Sequence, residues 1–178
     1  MRNLPDAFCL LLLALCIFLS GCGPADPLRE KVSARTPIDF SLWRSHLSDR
    51  LPAASWTDFD EAISEIRIRI LIDKIATGAE PVNKALYARI NGLTIFEVLQ
   101  AGYGSKLERL NVERAELQKV IDANLRMRTL PGQTESARVL RERIRSQVEQ
   151  LEVIDQALSH TREKSKLYKL AIEASARS

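Results

Sequence analysis

The stretch Thr94–Arg128, TIFEVLQAGYGSKLERLNVERAELQKVIDANLRMR, decides how this chain folds. Phe96, Leu99, Tyr103, Leu107, Leu110, Leu117 and Ile121 recur at helical spacing, and Arg114 fills the one gap. Thr94 followed by Glu97 forms a capping box that starts the helix. Gly102 and Gly104 interrupt the pattern, and Ser105-Lys106-Leu107-Glu108 is a second capping box. A kinked continuous helix and two separate helices therefore both remain open. If continuous, the segment is about 52 Å long at the α-helical rise.

Downstream, Leu130-Pro131-Gly132-Gln133 is a turn signal and Thr134 opens a last helix. There Leu140, Ile144, Leu151, Ile154, Leu158, Tyr168 and Ile172 fall on heptad a/d positions, and Gln147, Thr161 and Ser165 dilute the seam. A short turn between two long helices makes them antiparallel neighbours. A compact globule of this size is only about 40 Å across. The reading is thus all-α: a small helical base of about three helices at 37–104, and a long antiparallel, coiled-coil-like hairpin at 105–178.

Upstream, Phe40, Trp43, Leu47 and Leu51 share one helical face, with Asp39 or Ser41 as the cap and Pro52 as the stop. A second helix begins at Thr57, with Asp58, Asp60 and Glu61 as dipole partners in its first turn. It carries Phe59, Ile63, Ile66 and Ile70, extended by Leu71 and Ile75, and ends at Gly78. Ile66–Ile70 also alternates like a strand, but no partner strand is visible. Pro81 suits the first turn of a third helix that turns Leu86, Tyr87 and Ile90 inward. Asn91 or Gly92 then takes the left-handed conformation that ends it.

The first residues read as an address. Ala7–Leu19 is an uninterrupted apolar run, too short to span a bilayer and suited to a secretory signal. It ends in Leu19-Ser20-Gly21-Cys22, which resembles the lipobox of bacterial lipoproteins. The resemblance implies a signal peptide over 1–21 and acyl chains on Cys22. Two or more such chains anchor stably, whereas one alone is marginal. Cys9 and Cys16 leave with the signal, so the mature chain has no disulfide, no Cys nucleophile and no Cys-based metal site. Gly23, in place of the Asp that retains enteric lipoproteins in the inner membrane, points to the outer membrane, facing the periplasm. Residues 22–36 are rich in Pro, Gly and charge and read as a flexible tether. The fourteen residues after Cys22 reach roughly 45–50 Å when extended.

Two further patterns, Phe59-Asp60-Glu61-Ala62-Ile63 and Ile90-Asn91-Gly92-Leu93-Thr94-Ile95-Phe96-Glu97-Val98, resemble those of a group of small uncharacterised bacterial lipoproteins. Leu93 stands where that group has Lys. The group has no established activity, so the resemblance implies only a lipid-anchored helical protein.

The chain has 178 residues, 46% of them hydrophobic, which excludes an ordinary disordered polymer. Its net charge of +3 is too small to imply nucleic acid. No catalytic residue or metal ligand set stands out: His46 and His160 each pair with a carboxylate three residues on, a common surface arrangement. The sequence calls for no cofactor, no metal and no small-molecule substrate, and reads as a protein that is not an enzyme. Trp43 and Trp56 lie beside apolar positions and read as core. Arg138, Arg141 and Arg145 share one helix face and form a candidate anion contact, set against a solvated coiled-coil flank. The leading functional reading is a lipid-anchored bacterial envelope protein, non-catalytic, with a structural or protein-interaction role. Its partners are the membrane, through Cys22, and an envelope protein or a second copy, through the hairpin. The alternative is a binding module for an anionic envelope ligand such as a lipid headgroup, lipopolysaccharide or peptidoglycan.

Overall fold

The computed structural model describes residues 26–127 and 134–175. Five α-helices follow a single 3-10 turn at Pro27–Arg29: α1 (Pro37–Leu47), α2 (Ala53–Ile72), α3 (Ala79–Ile90), α4 (Ile95–Arg126) and α5 (Thr134–Ser175). No strand occurs among the described residues, and Lys31–Thr94 is an isolated bridge. The turn read at Leu130–Gln133 lies outside the described residues.

The helix starts differ from the sequence reading for simple reasons. Thr36 caps α1, its Oγ1 accepting from Asp39 N, because Pro37 supplies the fixed φ of the first helical position. Pro52 likewise precedes α2, so that helix begins at Ala53 rather than Thr57. Asp58, Asp60 and Glu61 are therefore interior to α2 and are not first-turn dipole partners. The chain leaves α2 at Ile72, and Gly78, at φ 86°, opens α3. At the next corner Gly92 adopts φ 82°, and Thr94 and Glu97 form the full capping box.

Helix α4 runs unbroken through Gly102 and Gly104. Gly102 is a point of close approach: a Cβ there would lie 2.4 Å from Cα of Ala62. The two helices touch backbone to backbone at that level, which only glycine permits. A division of the chain between 104 and 105 therefore does not match the helices. The first half of α4 belongs to the base, and the C-terminal part of α5 returns to it.

The base core gathers α1, α2, α3 and the start of α4. Trp43, Leu47, Phe59, Ile66, Ile70, Leu86, Ile90, Ile95, Leu99 and Tyr103 are all buried in it. Phe40, Trp43, Trp56, Phe59 and Tyr87 form an aromatic cluster with ring centroids 5.5–6.1 Å apart. Offset and edge contacts at such spacings add to the area they bury. The hairpin has its own smaller core of Leu110, Ile154 and Leu158.

The heptad reading of α5 holds: Leu140, Ile144, Leu151, Ile154, Leu158, Tyr168 and Ile172 are all buried or half-buried. Two of the three polar seam positions bond across the interface and the third within its own helix. Asn124 Nδ2 donates to Gln147 Oε1 at 2.8 Å, and Ser165 Oγ donates to Gln100 Oε1 at 3.0 Å. Thr161 turns its hydroxyl back to the Ala157 carbonyl.

The segment read as a tether is, in part, structure. Val32 N donates to Leu93 O, Gly92 N to Val32 O, and Ile95 N to Glu30 O, at 2.7–3.0 Å. Ala34 N donates to Asn91 Oδ1 at 2.9 Å. Val32 and Ala34 are 2% and 1% exposed. Alternation of Lys31 and Arg35 outward with Val32 and Ala34 inward is the two-residue period of an extended strand. Glu30–Ala34 is thus a strap laid across the corner between α3 and α4.

Candidate interaction surface

Three acids of α2 tie it to the two long helices α4 and α5. Asp58 accepts from Lys164 Nζ at 2.5 Å and from the Tyr168 hydroxyl at 2.8 Å, both on α5. Glu61 pairs with Lys106, and Glu65 holds Arg109 through two contacts of 2.6 and 3.1 Å, both on α4. Asp58 and Glu65 are buried. Burial alone would penalise these charges, and the paired cations and hydrogen bonds offset that cost. The Tyr103 hydroxyl is buried beside the Asp58 carboxylate. Burial is the first cause that pushes its ionisation above the ordinary tyrosine range. Burial and then the bond to Asp58 push Tyr168 up to about 12.

Sequence reasoning missed this seam. Asp58, Glu61 and Glu65 sit at i, i+3 and i+7, and Lys106 and Arg109 at i, i+3, so each set shares a helix face. A helix-start reading accounts for Asp58 and Glu61 singly and leaves the shared faces without a partner.

The hairpin also carries an apolar strip that nothing among the described residues covers. Against α4, α2 runs parallel: Ala62 meets Gly102 and Glu65 meets Arg109. Between them lies a cleft of about 230 Å³ with Ile68, Ile72 and Val112 on its walls. Beyond the end of α2 the same side of α4 continues alone. There Leu117 and Val120 line a second cleft, of about 460 Å³, with Val153 and Ile154 of α5 opposite. Glu113 and Glu116 line both clefts and lie between them. Val112, Val120 and Val153 are 54%, 46% and 64% exposed.

The arginine face sits on the outward side of α5. Arg138 is held by Glu135 and Glu142, and Arg145 lies 3.8 Å from Glu149. Arg141 makes no ion pair among the described residues. The structure thus brings the three together on one face and neutralises two of them locally. Trp43 is buried and Trp56 half-buried in the aromatic cluster. No grouping of His, Cys, Asp and Glu that could hold a metal occurs among the described residues. No described helix is long and apolar enough to cross a membrane. Leu19, Ser20, Gly21 and Cys22 lie outside the described residues. No protein-family model, curated protein or solved structure matches this chain.

Proposed function

We propose that this chain is a lipid-anchored bacterial envelope protein that works without catalysis, by presenting its helical hairpin to another protein. The observation that carries the interaction role is the uncovered strip Ile68, Val112, Val120 and Val153. Exposed apolar side chains gathered in clefts and flanked by charge are characteristic of protein docking sites. The anchoring part rests on the signal-like run and on Leu19-Ser20-Gly21-Cys22. The non-catalytic part is supported by the use of Asp58, Glu61 and Glu65 as ties between helices. Gly23 supports an outer-membrane destination.

Fractionation of cells expressing Cys22→Ala tests the anchor. The reading expects the wild-type chain in the membrane fraction and the variant released as a soluble protein. Retention of the variant would overturn it.

Arg141, with no carboxylate partner among the described residues, gives some support to the anionic-ligand alternative. Binding of that kind falls steeply with salt.

A further inference from the structure

The docked strap changes what a lipid on Cys22 would do. If the chain were free from Cys22 to Thr36, the body could wander tens of ångströms from the bilayer and point anywhere. The chain is instead fixed from Asp26 onward. The Asp26 carboxylate accepts from Leu28 N at 3.0 Å and closes the 3-10 turn. Arg29 Nη2 donates to Ile172 O at the end of α5, and Arg50 pairs with Glu30 at 2.9 Å. The strap's ladder then engages the corner at Leu93 and the first turn of α4. Only four residue steps separate Cys22 from Asp26, a reach of about 14 Å at most.

All these contacts lie at one end of the molecule. The α4 N-terminus, the α5 C-terminus and the strap meet there, and the hairpin leads away from it. Helix α4 spans about 48 Å and α5 about 63 Å. The uncovered cleft at Val120 and Val153 and the arginine face lie toward the far end of this arm.

On this basis we propose that Glu30–Ala34 is a rigid mount, which seats the base on the bilayer surface and stands the hairpin roughly 50 Å off it. The surface it fits at the base is the lipid headgroup layer holding the anchor. The partner of the arm then lies in the space beyond, not in that bilayer. This inference rests on the lipid anchor proposed above.

The test uses the full acylated protein in phosphatidylethanolamine–phosphatidylglycerol vesicles. Lys169→Cys and Ser136→Cys, each carrying a donor dye, report on the two ends of α5, about 50 Å apart along the helix. Energy transfer to an acceptor lipid is expected to be several-fold stronger from position 169 than from position 136. A flexible Gly/Ser insertion of about twelve residues between Cys22 and Asp26 leaves the body intact and lengthens the tether. It is expected to erase most of that contrast. Protein that floats with the vesicles but transfers equally from both positions would overturn the mount alone. So would a contrast that survives the insertion. Protein that does not float with the vesicles would overturn the anchor, and the mount with it.

Discussion

The Asp58 carboxylate and the Lys164 ammonium, 106 residues apart in sequence, meet at 2.5 Å across the α2–α5 contact. The second oxygen of that carboxylate holds the Tyr168 hydroxyl, so one side chain fixes two points on α5. This tie seats the hairpin on the base, and with it sets the direction in which the arm leaves.

Asp58→Ala leaves a half-buried ammonium and a hydroxyl without their acceptor. Hydrogen bonds to charged groups contribute about 1.5–3 kcal/mol, and the loss is expected to fall in that range. Asp58→Ala with Lys164→Met removes both charges and is expected to recover much of it. Urea unfolding followed by circular dichroism measures both. Equal stability of wild type and Asp58→Ala would show that the pair is not a tie.

Gly102 and Gly104 are expected to respond oppositely to alanine. At position 102 the new Cβ meets Cα and Cβ of Ala62 at 2.4 Å, and overpacking of this kind costs about 1–3 kcal/mol. At position 104 it meets open space, and replacing a mid-helix glycine contributes about 0.5–1 kcal/mol. Thermal unfolding of the two variants should shift in opposite directions. A stabilised Gly102→Ala would contradict the close approach of α2 and α4.

Alkaline pH should loosen the hairpin. In the folded chain Tyr168 keeps its proton up to about 12, above the ordinary value of 10, chiefly through burial. Between those values the unfolded chain has released a proton that the native chain retains. The contribution is therefore fully present below the ordinary value and is lost as the pH rises through the folded one. Tyr103, shifted in the same direction by burial, adds to the trend. Tyrosinate absorbance should lag in the native state and appear together with unfolding. Tyr168→Phe should weaken the decline in stability with rising pH. An unchanged decline in that variant would place its cause elsewhere.

Most of the fold was legible because periodicity is a local signal. The a/d positions from Leu140 to Ile172 needed only their spacing, and the Thr94–Glu97 capping box only its two residues. Two features needed knowledge of what lies opposite. Gly102 reads as a break until Ala62 is known to sit against it. Asp58 and Glu61 read as helix-start charges until Lys164 and Lys106 are known to face them. The strap was hidden differently: Lys31-Val32-Ser33-Ala34-Arg35 alternates visibly, but a short strand with one bridge is weak beside a Pro- and charge-rich setting. The uncovered strip was partly visible too. Val112 and Val120 lie off the hairpin seam, yet only the length of α2 shows where its cover ends.

Site-specific photo-cross-linking in intact cells asks whether the hairpin meets another protein. A photoreactive residue replaces Val120 in the uncovered cleft, and a control replaces Lys119, the adjacent exposed position. A discrete protein adduct is expected from position 120 and none from position 119, in the membrane fraction and dependent on Cys22. Absence of any adduct at 120, or the same adducts from both positions, would contradict an interaction surface on the hairpin.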